Sequence, residues 1–234
     1  MADVAVICPV LGRPQNAAPL ADSLFATAPD AWLLFLCSPD DDEQHQACDA
    51  VSRDHDQARW AVMEWEPGPG DFARKINLGY LNTAQCGLVL LGADDLRFHP
   101  GWLEAVEAVA AEYDCGVIGT NDRANPAVKQ GIHSTHPVVR RCYIDEHGGY
   151  VGGQGRVYFE GYSHQWTDTE LVETAKARGC YAHAHDAIVE HLHPMYRRDI
   201  AMDDTYRLGQ AGQREDRALY QARRHLWERE RVTA

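Results

Sequence analysis

The sequence predicts an α/β fold, a mostly parallel sheet flanked by helices and followed by a helical C-terminal tail. Three observations predict it. The short β-type runs are continuously apolar instead of alternating, as strands covered on both faces must be. Helical patterns of about 10–15 residues separate them, the spacing of βαβ units. The runs end in charged or polar turns, where a purely structural turn needs only Gly or Asn.

In chain order, Val4-Ala5-Val6-Ile7-Cys8 is the first strand and stops at Pro9, and Ala17–Ala28 can form the first helix. Trp32–Cys37 is the second strand and runs into Ser38-Pro39-Asp40-Asp41-Asp42-Glu43. Those carboxylates favour the start of a helix, where they meet the positive end of its dipole. Trp60–Trp65 is the third strand candidate. Gly68-Pro69-Gly70 then breaks the chain before a helix over Asp71–Asn82. Gly87–Leu91 is a fourth, buried strand, followed by Gly92-Ala93-Asp94-Asp95 and an amphipathic helix over Pro100–Tyr113. Cys115–Gly119 is the fifth strand. Ligands of such sheets bind outside the carboxyl ends of the strands. The turns Pro9–Arg13, Ser38–Glu43 and Gly92–Asp95 are therefore the expected site.

The second half is less regular. Asn121–Pro137 reads as a loop carrying His133 and His136, and the glycine-dense stretch Gly148–Gly155 as a mobile one. Thr167–Arg178 reads as a helix with Asp168 in its first turn and Gly179 as its stop. Tyr181–Leu192 reads as one or two strands ending at His193-Pro194. Asp203–Arg231 is a charged helical tail that packs through Tyr206, Leu219, Tyr220, Leu226 and Trp227.

The 234 residues are 45% hydrophobic and 24% charged, the balance of a globular protein with a core of its own. With 22 basic and 35 acidic residues the net charge is −13, which argues against membrane-surface or duplex nucleic-acid binding. An anionic ligand would need a metal or a few local cations. The seven cysteines are scattered without a CxxC pair, as expected of buried thiols in a reducing cytosol. Met-Ala-Asp followed by a short strand does not resemble a signal peptide, and no apolar stretch is long enough to span a membrane. A cytoplasmic protein is expected.

Three places carry chemistry. Asp94 and Asp95 directly follow a buried strand, where unpaired charge is costly and a hard divalent cation with oxygen ligands fits. Helix capping accounts for one Asp near residue 99 better than for two at 94 and 95. His191 and His193 fall on the same side of a strand and could contact a metal or a phosphate. The same pair also fits two ordinary surface or core histidines. Asp168 sits at a helix start behind the glycine-rich segment, as a helix cap or as a general base for a hydroxyl nucleophile.

Taken in order, these places resemble family-2-like glycosyltransferases with the A-type nucleotide-sugar fold. Cys8-Pro9-Val10-Leu11-Gly12-Arg13-Pro14 is similar to that family's first strand and loop, and Ser38-Pro39-Asp40-Asp41-Asp42 to its second acidic turn. Lys75-Ile76-Asn77-Leu78-Gly79 is similar to the helix flanking the nucleotide. Gly92-Ala93-Asp94-Asp95, then Phe98-His99-Pro100-Gly101-Trp102-Leu103, resembles the Asp-x-Asp region and the helix after it. Gly92 or Ala93 stands where the strict pattern has its first Asp. Asp168-Thr169-Glu170-Leu171, then Arg178-Gly179, resembles the segment holding the catalytic Asp of inverting members, and His191–Pro194 the late metal-binding histidine. Thr167 stands where many members carry Glu. The tail resembles that of small glycosyltransferases found in phage genomes, for which the expected location is the host cytoplasm.

The resemblance implies a Rossmann-like catalytic domain over 1–195, with a nucleotide-sugar-binding half (1–120) and an acceptor half (121–195), and a helical extension over 196–234 packed on it. It implies a nucleotide-diphosphate sugar donor, UDP favoured, and Mn2+ or Mg2+ held by Asp95, His191 and His193. Pro9, Val10, Arg13, Ser38, Asp40, Lys75, Asn77 and Asp94 would contact the donor. Trp166, with Tyr162 and His164, would shape the acceptor side, and Asp168 would be the catalytic base of an inverting transfer. The acceptor hydroxyl could belong to a glycan, a protein, a lipid-linked sugar or a nucleobase. The alternatives are a nucleotide-sugar-binding module without catalysis, a sugar nucleotidyltransferase and, third, a metal-dependent hydrolase.

Overall fold

A computed structural model describes residues 3–231. Met1 and Ala2, and residues 232–234 of the expected extension, lie outside the described residues. The elements run β1 (Val4–Pro9), α1 (Pro14–Thr27), β2 (Trp32–Cys37), α2 (Asp42–Asp54), β3 (Ala58–Val62), α3 (Asp71–Asn82), β4 (Leu88–Leu91), β5 (Leu96–Phe98) and α4 (Trp102–Glu112). They continue with β6 (Val117–Asn121), α5 (Pro126–Lys129), β7 (Val138–Arg140), α6 (Arg141–His147), α7 (Thr167–Ala177) and β8 (Tyr181–His191). The tail holds α8 (Asp204–Gln210), α9 (Gln213–Arg223) and α10 (His225–Glu228).

One eight-stranded sheet runs β3-β2-β1-β4-β7-β6-β8-β5. The first four strands are parallel, built from β1–β2, β2–β3 and β1–β4 pairs, and β6–β8 is parallel as well. β7 runs antiparallel between β4 and β6, and β5 antiparallel to β8, so the sheet is mixed. The sequence pattern misses β5 and β7 because three residues are too few to show a period. β3 starts and ends earlier than expected: Trp65 leaves the strand, and its indole N–H donates to Asp71 Oδ1 at 2.7 Å.

Both faces are covered. On β1, Val4, Val6 and Cys8 pack with Leu20 and Leu24 of α1, Cys48 of α2 and Val106 of α4. Ile7 points the other way, into Ile76 and Tyr80 of α3, Ile144 of α6 and Leu171 of α7. Every residue of β1 is buried, which explains its unbroken apolar run. Ile76 and Tyr80 are fully buried, and each such side chain contributes about 1.5–3 kcal/mol.

Gly148–Gly155, expected to be mobile, is instead a tight set of turns. Gly148 has φ +74°, and a Cβ there would lie 2.2 Å from the Gly153 carbonyl oxygen. Arg178 donates to the Gly148 carbonyl at 2.7 Å. All seven cysteines are free; five are buried, Cys180 is half-buried and Cys142 is exposed. No helix among the described residues is long and apolar enough to cross a membrane.

Candidate active site

A cavity of about 800 Å³ opens at the carboxyl ends of β1 and β4 and the start of α7. Pro9, Val10, Arg13, Lys75, Asp94, Asp95, Trp166, Asp168, His191 and His193 all line it. Ser38, Asp40 and Asn77 do not.

Strand pairing assembles its centre. The β5–β8 ladder sets Leu96 against His191, and Leu192 N–H donates to the Asp95 carbonyl at 2.8 Å. On the other side, β7 pairs with β4, and Leu91 N–H donates to the Pro137 carbonyl at 3.0 Å. That contact brings His136 beside the acidic pair. One ligand atom each from Asp95, His136 and His191 lies within 4.8 Å of the others, and all three residues are buried.

These side chains fit a divalent cation. Asp95 Oδ1, His136 Nε2 and His191 Nδ1 are buried atoms with no hydrogen-bond partner. The His191 Nε2 lies 3.3 Å from Asp95 Oδ2. Unpaired buried polar atoms are rare and costly, and a carboxylate and two imidazoles that gather this closely and each keep one such atom have the donor set of a metal site. The His136 Nδ1–H lies 3.0 Å from the Leu91 carbonyl, an acceptor only, so the ring's Nε2 is left as a free lone pair. Burial, and then His191, push the His136 pKa down to about 3, which keeps that ring neutral. Burial alone would raise Asp95. The neighbouring His191 and His136 and the Tyr206 hydroxyl hold it well below the usual carboxylate range. His136 is the site residue the sequence reading passed over. It was visible only as one of two histidines in a loop, because the strand that places it is three residues long.

His193, expected as a ligand, is not in this group. β8 ends at His191, so the same-side rule of a strand stops applying. The His193 ring instead accepts the Met195 N–H at 3.1 Å and packs edge-on against Tyr206.

Asp94 faces the loop after β1. Its Oδ1 accepts from Arg13 Nη1 at 3.0 Å, with both side chains about 6% exposed. Burial and the adjacent Asp95 raise the Asp94 pKa above the ordinary carboxylate range, with Arg13 opposing them. Arg13 also forms a two-pronged pair with Asp203, Nε to Oδ2 and Nη2 to Oδ1, each 2.9 Å. Its guanidinium lies 3.5 Å above the Tyr206 ring, and the Tyr206 hydroxyl donates to Asp95 Oδ2 at 2.9 Å. Arg13, expected to contact the donor, is thus committed to residues of α8 and its N-cap. Gly92, standing where the family pattern has an acidic residue, lies against β1; a Cβ there would come within 2.9 Å of the Ile7 carbonyl oxygen.

Lys75 is 1% exposed and spends its three N–H donors on the Val10 carbonyl (3.1 Å), Ser38 Oγ (2.7 Å) and Asp71 Oδ2 (3.0 Å). It thereby locks the ends of β1 and β2 to α3. Asn77, also expected at the donor, is a structural clamp. Its amide donates to the Tyr158 carbonyl and Glu160 Oε1 and accepts from the N–H groups of Val157 and Tyr158, leaving nothing for a ligand. Asp40 is exposed, with φ +57° at the end of β2, while Asp41 accepts the Gly12 N–H at 2.7 Å.

Across the cavity, Asp168 Oδ2 sits 3.1 Å from His133 Nε2, and Asp168 Oδ1 accepts the Thr169 N–H at 2.7 Å. Burial works against the charged form of both groups, but each favours the charged form of the other. Asp168 is lowered by His133, and His133 is raised by Asp168. Trp166, two residues ahead of Asp168, has φ +73° and stacks on Tyr220 with ring centroids 4.7 Å apart. Tyr162, expected on the acceptor side, is buried with its hydroxyl donating to Glu170 Oε2 at 2.6 Å.

No protein-family model and no curated protein matches the sequence. Among solved structures, the chain is similar to the mannosyltransferase PcManGT from Pyrobaculum calidifontis, described in complex with GDP-Man and Mn2+. The TM-score is 0.66 at 14% identity, over 99% of this chain and 65% of that one. It is also similar to TarS from S. aureus, with TM-score 0.63 and 13% identity over 81% of this chain and 59% of that one. A third is glucosyl-3-phosphoglycerate synthase from Mycobacterium tuberculosis, described with Mn2+, UDP-glucose and phosphoglyceric acid. There the TM-score is 0.61 at 14% identity, over 95% of this chain and 80% of that one. This chain thus spans less than two-thirds of the first two proteins' length. The likeness establishes the fold, the A-type glycosyltransferase fold expected from the ordered motifs.

Proposed function

We propose that this chain is a metal-dependent glycosyltransferase that moves a sugar from a nucleotide-diphosphate sugar, UDP-sugar favoured, to an acceptor hydroxyl with inversion. The observation that carries the reading is the gathering of Asp95, His136 and His191, each with an unpartnered buried side-chain atom, on the cavity that also holds Asp168. The fold shared with a GDP-mannose-bound mannosyltransferase and a UDP-glucose-bound synthase supports it.

Asp95, His136 and His191 would hold Mn2+ or Mg2+, which supplies Lewis-acid stabilisation of the departing diphosphate. Tyr206 orients the Asp95 carboxylate through its hydroxyl. Pro9 and Val10 line the donor end; Asp94, which shares that end of the cavity with Arg13, would contact the ribose, and Asp40, exposed in the turn after β2 and outside the cavity lining, would reach base or ribose from its rim. Arg13, Lys75 and Ser38 hold the loops that carry these groups. Asp168 takes the acceptor's hydroxyl proton as the new C–O bond forms and the bond to the diphosphate breaks, with no covalent enzyme intermediate. The Thr169 N–H and His133 hold Asp168 in place for that step.

The experiment is a thermal-shift panel of UDP, GDP, CDP and dTDP and their sugars, with Mn2+ and with a chelator. A shift for one nucleotide that requires the metal supports the reading. Equal shifts with and without metal, or none, overturn it in favour of a non-catalytic module or a hydrolase.

A further inference from the structure

We infer that the acceptor is an uncharged glycoside seated against Trp166; this rests on the glycosyltransferase reading above. The first argument is charge. Two permanent cations line the cavity, Arg13 and Lys75, against five carboxylates, Asp71, Asp94, Asp95, Asp168 and Glu215. Both cations are already matched, Arg13 by Asp94 and Asp203, Lys75 by Asp71. A divalent ion at Asp95 would serve the donor diphosphate. The charged form of His133, which also lines the cavity, is matched by Asp168. An acceptor phosphate or carboxylate would find no unmatched cation and would face Asp168 and Glu215, so like-charge repulsion selects against it.

The second argument is the wall. Trp166 holds a left-handed backbone conformation that a bulky side chain rarely adopts, and such strain persists only when its surroundings enforce it. Its ring stacks on Tyr220, and Trp166 lines the cavity two positions from Asp168. Met195, Tyr196 and Leu208 are exposed apolar side chains gathered on the same cavity. Gln210 and Gln213 add neutral donors and acceptors. A pyranose offers the complement, an apolar C–H face for the ring and uncharged hydroxyls for the amides.

The test is an acceptor panel with Mn2+ and the sugar of whichever nucleotide binds. It comprises neutral p-nitrophenyl glycosides, their 6-phosphates, glucuronides, a serine-containing peptide and a single-stranded oligonucleotide. Free nucleoside diphosphate is measured alongside transfer. Transfer to a neutral glycoside is expected, with kcat/KM for its charged analogues about tenfold lower or worse. Trp166→Ala should raise the acceptor KM about tenfold or more, and Trp166→Phe should restore most of it. Nucleotide binding by calorimetry reports whether either variant has folded. Preference for phosphorylated or acidic acceptors, or transfer only to peptide or oligonucleotide, overturns the inference while leaving the glycosyltransferase reading intact. Donor turnover with no transfer to any glycoside overturns it too. Failure of every nucleotide sugar to bind or turn over removes the glycosyltransferase reading itself, and the inference with it.

Discussion

His133 Nε2 lies 3.1 Å from Asp168 Oδ2, closing an ion pair across 35 positions of sequence at the first turn of α7. It makes two sequence-distant groups titrate as partners.

The pair sets a pH window for stability. His133 is raised above its ordinary 6.5, so its contribution is complete below pH 6.5 and fades as pH rises through the raised value. Asp168 is lowered below its ordinary 3.8, so its contribution is present above pH 3.8 and fades as pH falls through the lowered value. Urea denaturation in chelator should show wild type exceeding His133→Gln most between pH 3.8 and 6.5, with the gap closing on both sides.

Asp168→Asn should fold and bind nucleotide and metal as wild type does. Its transfer rate should fall about 10²–10⁴-fold, the usual loss of a general base. Single-turnover transfer assays beside calorimetric nucleotide binding check this; wild-type turnover would remove Asp168 from the base role.

Tyr206→Phe removes the hydroxyl that orients Asp95 but keeps the ring under Arg13. Mn2+ affinity should fall about 10–100-fold, the range for losing an outer partner of a metal ligand. Calorimetric titration with Mn2+ measures it.

Asn77→Leu should destabilise without touching the cavity. It strands the N–H groups of Val157 and Tyr158 and the Tyr158 carbonyl, each costing about 1–3 kcal/mol if left unpaired. The urea midpoint should drop, and hydrogen exchange in residues 148–158 should accelerate.

Much of this was readable in the sequence because β1, β2, β4 and α3 are specified locally. An apolar run covered on both faces, or a helix opened by Gly70 and Asp71, carries its pattern within a dozen residues. The Asp94-Asp95 pair was legible for the same reason, being adjacent in the chain. The roles of His136 and Tyr206 were not. His136 reaches Asp95 through a three-residue antiparallel strand too short to show a period, and Tyr206 was legible as a packing residue of the tail but not as a partner of Asp95, 111 positions away. Arg13 and Asn77 are the opposite case. Their residue types suit a ligand, but their donors are consumed by Asp203 and by the backbone at 157–158, partners that lie 190 and about 80 positions away. Gly148–Gly155 misled because glycine marks both mobile loops and crowded turns, and only the Gly153 carbonyl against Gly148 tells which.

The tail's hold on Arg13 and Asp95 has a consequence for biosynthesis. Translation delivers residues from the N-terminus, so Asp94, Asp95, His136, Asp168 and His191 all leave the ribosome before Asp203 and Tyr206. Until then the nascent chain has every ligand atom and the base, but neither the carboxylate that turns Arg13 nor the phenol that orients Asp95. Maturation of the centre is therefore a late event in the life of each molecule. A product released before residue 203 would lack both of those groups.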